Sequence, residues 1–215
     1  MIETIRNIVF QYMVWVIFIP FFIAVINQKR YSRELRSIFY YLILAVVTQV
    51  VSYILWLNSK PNLYLLHLYT ILEFLILLWF YSIILKRFIP RFVFLLLAIL
   101  FPLFAITDSL LLGNIYTSNI YGRSVEALIF IFLSVSWFVK FIAADESTRL
   151  SFPGINYINF GFFIYFSGSS ILFSFQGFVT ELAKPLRMNI YSIHSLLLVI
   201  LYLLITMGLW KFRTK

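Results

Sequence analysis

Long apolar runs alternate with short polar connections along the whole chain, and the runs have the length of membrane-crossing helices. Seven of them reach the roughly 20 residues needed to span a hydrocarbon core. They lie at about 7–27, 37–58, 62–85, 91–111, 124–144, 155–177 and 189–210. The connections QKRYSRELR, SKPN, KRFIP, LLGNIYTSNIYGR, DESTRLSFPG and TELAKPLR hold most of the charges and chain breakers, and leave no room for a soluble domain. This pattern predicts an all-α membrane protein, a single seven-transmembrane helix bundle over 1–215. Pro20 and Pro102 fall inside spans one and four, where neighbouring helices can satisfy the freed carbonyls, so kinks are expected there. Trp15, Trp56, Trp79, Trp137 and Trp210 fall mostly near predicted span ends, as interfacial anchors do.

Composition agrees with the pattern. The 215 residues are 63% hydrophobic and 12% charged, with a mean hydropathy of +0.98, against roughly 25% charged residues in soluble proteins. A net charge of +9 would suggest nucleic acid for a soluble chain. Here the Lys and Arg sit between apolar runs, so they set orientation and contact membrane lipids, and no nucleic-acid partner is expected. The absence of cysteine excludes disulfides, thiolate metal sites and a cysteine nucleophile.

The charges also give a direction. The first run has no small-x-small cleavage site; Arg6 precedes it and Lys29, Arg30, Arg33 and Arg36 follow it. It therefore reads as an uncleaved anchor with its N-terminus outside. Twelve of the seventeen basic residues fall on the side of loops 1–2, 3–4, 5–6 and the C-terminus, and five on the other side. The expected topology is N-terminus outside, C-terminus cytoplasmic.

With that direction, the polar residues within spans gather in the outer half. His67 lies roughly 7–8 Å below the start of span three and Glu73 roughly 16 Å below it, near mid-membrane. His194 enters span seven at a depth similar to that of His67. Gln49 and Tyr53 in span two, Gln11 in span one, Tyr69 in span three, Glu126 in span five, and Ser169 and Gln176 in span six complete the candidates for an outward-facing polar pocket. By contrast, the inner halves of spans three, four and seven are nearly pure Leu, Ile, Phe and Val. A central carboxylate facing lipid would cost roughly 2.5–3.5 kcal/mol even on the lenient insertion scale. Glu73 is thus expected to face the bundle interior, with His67 or His194 as its paired cation or proton donor. Blander assignments exist for several of these groups. His67 can be a neutral imidazole bonding across helices; Glu126, two residues after Ser124, can be a first-turn acid behind a capping serine; Asp108, near an outer helix end, is expected to be solvated. Gly161, Ser167, Gly168, Ser169 and Ser170 suit close helix packing.

Several chemistries fail on the residues. Span seven holds no lysine for a retinal Schiff base. His-Glu-x-x-His, Gly-x-Ser-x-Gly and phosphate-loop motifs are absent, and two histidines are too few for a ceramidase-like zinc centre. His67, Glu73, Glu126 and His194 are all of zinc-ligating type, but no spacing specifies a metal and no cofactor is expected.

NLYLLHLYTILEF, IYFSGSSILF in span six and YSIHSLLLVILYLLITMGLW in span seven resemble a family of small seven-transmembrane integral membrane proteins of Bacteroidota, over nearly the whole chain. The resemblance implies a multi-pass protein of the bacterial inner (cytoplasmic) membrane and brings no activity or site. The expected function is a receptor- or sensor-type bundle that signals to a separate cytoplasmic or membrane partner through its short basic face, such as loop Gln28–Arg36. A membrane-embedded enzyme acting on a lipid or lipid-linked substrate, and a transporter or proton-conducting protein titrating Glu73, are the alternatives. A structural subunit of a larger complex also fits.

Overall fold

The computed structural model describes residues 13–112, 120–145 and 153–213. Every regular element among them is helical: α1 (Phe18–Asn27), preceded by a 3-10 turn at Val14–Ile17, α2 (Arg33–Leu57), α3 (Leu63–Ile84), α4 (Arg91–Thr107), α5 (Ile120–Ile142), α6 (Pro153–Ser174), α7 (Gln176–Glu181) and α8 (Lys184–Arg213). The helices alternate in direction. We call the end where α3 and α5 begin the upper end, and the end where they finish the lower end.

Among the described residues, five helical segments are long and apolar enough to cross a membrane: Arg33–Leu57, Leu63–Ile84, Arg91–Leu110, Ile120–Ile142 and Lys184–Phe212. They make this an all-α, multi-pass membrane architecture. Their outward faces are apolar as a bilayer requires; on α4, Leu95, Ile99, Leu103 and Ile106 are all exposed. α6 is as long as α3 but carries Asn156, Asn159 and four serines, which lower its hydropathy. Several of these polar groups are turned onto α5, α3 and α8. The described part of the first predicted span is α1 with its preceding turn; residues 1–12 lie outside the described set.

Local chemistry sets the helix boundaries. Ser59 and Arg87 adopt left-handed backbone, with φ of 53° and 70°, at the tight turns after α2 and α3. Pro90 is extended and starts α4, and Pro102 lies within it. α4 then widens into a π-turn at Asp108–Leu112. At the lower end the Lys140 ammonium donates to the carbonyls of Ile84 (2.5 Å) and Lys86 (3.1 Å), satisfying acceptors that the end of α3 leaves open.

α6 packs on α5 and α8, α8 on α1, α1 on α2 and α2 on α3; α3 meets both α4 and α5, which closes the bundle. The α6–α8 contact is very close. A Cβ added to Gly154 would lie 2.5 Å from the Gly208 carbonyl oxygen, and one added to Gly208 would lie 2.7 Å from that of Gly154. Gly161 and Gly168, one and two heptads further along α6, face Leu201 and Leu197 of α8. They are the small-residue contact expected for span six.

Candidate functional site

Arg123 stands in the first turn of α5 and organises the upper interior. Its Nη1 donates to Glu73 Oε2 of α3 at 2.6 Å and to Glu126 Oε2 one turn below at 3.2 Å. Tyr69, a turn above Glu73, donates its hydroxyl to Glu73 Oε1 at 2.9 Å. The guanidinium carbon lies 5.3 Å from the ring centroids of both Tyr69 and Phe173, so two aromatic faces flank the cation. Glu73 is 1% exposed and Glu126 0%, while the Arg123 side chain keeps 15% of its surface. Glu126 Oε1 is buried without a hydrogen-bond partner. Two acids thus share one cation, and the cluster carries a surplus negative charge unless it binds a proton.

Glu73 faces the interior, as expected, but its partner differs from the expectation. Neither histidine pairs with it; Arg123 does. His67 Nδ1 is 2.7 Å from Ser109 Oγ on the π-turn after α4, and Ser109 in turn donates to the Ala105 carbonyl. His194 Nδ1 is 3.0 Å from Ser169 Oγ, and its ring lies beside Tyr165 and Phe173. His194 therefore borders the cluster, one ring away from Arg123, whereas His67 belongs to a separate contact between α3 and α4.

Other expectations are also corrected. Asp108 is buried and accepts the Gly122 backbone N–H at 3.2 Å; it joins α4 to the start of α5 and is not solvated. Ser124 is no capping serine, because α5 begins at Ile120 and the Ser124 hydroxyl returns to the Ile120 carbonyl. Glu126 is accordingly a buried ion-pair member inside the helix. Tyr53 packs between Trp15 and Trp56, away from the cluster. Gln49 is half-buried on α2 and takes no part in it. Gln11 and the side chain of Gln176 lie outside the described residues. The four residues of zinc-ligating type do not converge, and among the described residues no three His, Asp or Glu side chains do.

The lower half is not purely apolar. Tyr81 of α3 bonds Ser134 Oγ of α5 at 2.7 Å and Asn159 Oδ1 of α6 at 2.9 Å, and Asn159 Nδ2 returns to the Ser134 carbonyl. Between this network and the charged cluster lies an aromatic layer. Phe74 stacks on Phe101 with centroids 3.7 Å apart and packs against Phe130, which touches Phe166 and Tyr81. All of these rings are buried.

The interior thus has three tiers: a charged cluster, a buried aromatic layer and a neutral polar network. Together they define a helical multi-pass membrane protein with a built ionic site. Comparison with family models, curated proteins and solved structures finds no match to the chain.

Proposed function

We propose that the protein is a seven-span, receptor- or sensor-type bundle of the bacterial inner membrane, with its N-terminus outside and its C-terminus cytoplasmic. In this reading the Glu73–Arg123–Glu126 cluster is its responsive element. The observation that carries the proposal is the second carboxylate: Glu126 is fully buried, shares a guanidinium already bonded to Glu73, and leaves Oε1 unbonded. Such a cluster changes state when a proton or a cationic ligand arrives from above, and it ties α3 to α5. Phe74 and Phe130 follow Glu73 and Glu126 on those helices, so a shift at the cluster moves the aromatic layer, and Tyr81 and Ser134 below it, towards the basic lower end. That end carries Lys29, Arg30, Arg33, Arg36, Lys86, Arg87 and Arg91, which supports its cytoplasmic placement and its use as the face that meets a signalling partner.

A proton-conducting role is the second reading, favoured by one observation. Tyr69 donates its hydroxyl to Glu73 at 2.9 Å, so a proton on the cluster has a neighbouring hydroxyl to pass to. The enzyme alternative needs a histidine next to Glu73, a place held by Arg123.

Two spin labels test the sensor. The natural chain has no cysteine, so Tyr64→Cys and Tyr121→Cys, exposed at the upper ends of α3 and α5, give a clean pair. The expected result is two distance populations whose ratio differs between mildly acidic and mildly alkaline buffer, merging into one in Glu126→Gln. A single distance indifferent to pH and to that substitution would overturn the proposal. Reporter fusions test the topology: a C-terminal fusion reporting the outside, or an even number of spans, would refute it.

A further inference from the structure

A cavity of about 300 Å³ opens at the lower end, between the start of α2, the ends of α3 and α5 and the start of α6. It holds the volume of roughly ten water molecules. Ile83, Phe141, Ala144 and Ile155 supply much of its wall, and two charged side chains of opposite sign, Glu34 and Lys140, also line it. These two are not paired with each other: among the described residues the Glu34 carboxylate has no partner, and both bonds of the Lys140 ammonium go to backbone carbonyls. An ammonium has three N–H donors, so one remains. The cavity therefore presents one acceptor charge and one donor charge, held apart, over an apolar wall.

We propose that this cavity binds the headgroup of a phospholipid of the ethanolamine class, its ammonium pairing with Glu34 and its phosphate with Lys140. The position suits it: the cavity lies at the ends of membrane-crossing helices, which is headgroup level. Its charges suit it too. A purely anionic headgroup would satisfy Lys140 and be repelled by Glu34, and a choline headgroup has no N–H to donate to the carboxylate. A free zwitterion would meet the same two charges but gain nothing from the apolar surface that runs on from Ile83 along α3, where Trp79, one turn away, is exposed beside Tyr40 of α2 to receive acyl chains. The bound lipid bridges α2 to α5 through its headgroup.

Native mass spectrometry of the full chain in detergent, with phosphatidylethanolamine, phosphatidylglycerol and phosphatidylcholine in equal amounts, tests this. The expected result is one retained phosphatidylethanolamine, preferred over phosphatidylglycerol by roughly ten-fold, the factor one charge-assisted contact supplies. Glu34→Gln should erase the preference. Ala144→Phe fills the cavity without touching either charge and should abolish retention; it replaces a Lys140 variant, which would also uncap α3. Equal retention of the three lipids by the natural protein, an unchanged preference in Glu34→Gln, or undiminished retention in Ala144→Phe would each overturn the site. Soluble phosphoethanolamine binding as tightly as the lipid would overturn its assignment to an amphiphile.

Discussion

Arg123 Nη1 lies 2.6 Å from Glu73 Oε2, joining the first turn of α5 to the middle of α3. The pair crosses 50 residues of sequence, and its acid belongs to a helix long and apolar enough to span a membrane. Burial makes such a pair costly to break, because the abandoned partner keeps its charge without water.

Arg123→Met should therefore destabilise the protein by about 3–5 kcal/mol, since it strands two carboxylates at once. Arg123→Lys should recover only part of the loss, because a single ammonium cannot reproduce the planar guanidinium between Tyr69 and Phe173. Thermal unfolding of the two variants in the same detergent gives the order. An Arg123→Met protein as stable as the natural one would mean that the cluster contributes nothing.

How much of this was legible follows from what each signal needs. Membrane class and helix positions come from hydrophobic run length, a property of single segments; from α2 onward the long helices keep those positions to within about five residues, while residues 1–12 of the first predicted span lie outside the described set. Glu73 stands out because no helix end excuses its charge. Arg123 does not, because the hydrophobic pattern places it in the loop before span five; α5 starts at Ile120, four residues before the predicted boundary, and that moves Arg123 into the helix. One local signal pointed to it: Arg123 and Glu126 are three apart, the spacing of neighbours on one helix face. The Tyr81–Ser134–Asn159 network was hidden for another reason. Each member is a lone, mildly polar residue in an apolar run, and only the tertiary fold brings three helices together at that point.

The lower network makes a separate prediction. Tyr81→Phe leaves Ser134 Oγ and Asn159 Oδ1 each short of a bond in a buried place, a cost of about 1–3 kcal/mol. Tyr69→Phe removes one bond from a carboxylate that Arg123 still holds, so its cost should be the smaller. Chemical unfolding of both variants tests the ranking. If Tyr69→Phe proves the more damaging, the lower network contributes less to stability than its bonding suggests.

The α6–α8 contact can be tested with two glycines that differ only in their surroundings. Gly208→Ala would push its Cβ into Ile158 and the Gly154 carbonyl, and such overpacking costs about 1–3 kcal/mol. Gly177 on α7 has open space where a Cβ would go, so Gly177→Ala should be neutral or slightly stabilising through helix propensity. Melting temperatures of the two proteins should fall on opposite sides of, or one well below, the natural value; equal losses would argue against close backbone approach as the cause.

The two acids of the cluster are not equivalent, and that asymmetry yields the sharpest test. Glu73 accepts short bonds on both oxygens, from Tyr69 at 2.9 Å and Arg123 at 2.6 Å. Glu126 accepts one at 3.2 Å and has an idle oxygen. Neutralising Glu126 removes the surplus charge while Arg123 keeps its better partner, so Glu126→Gln should be as stable as the natural protein or more stable. Glu73→Gln replaces a short charge-assisted bond by an ordinary one and leaves Arg123 with the weaker acid, a loss of about 1.5–3 kcal/mol. Both amides keep the size of the acid, so membrane insertion should survive in each, and any response to pH should be lost in Glu126→Gln. If Glu126→Gln is instead the more damaging, Glu126 is the true counter-ion of Arg123. The acid that the apolar run 65–78 carries at mid-membrane would then be the surplus one, and the proton site would move from α5 to α3.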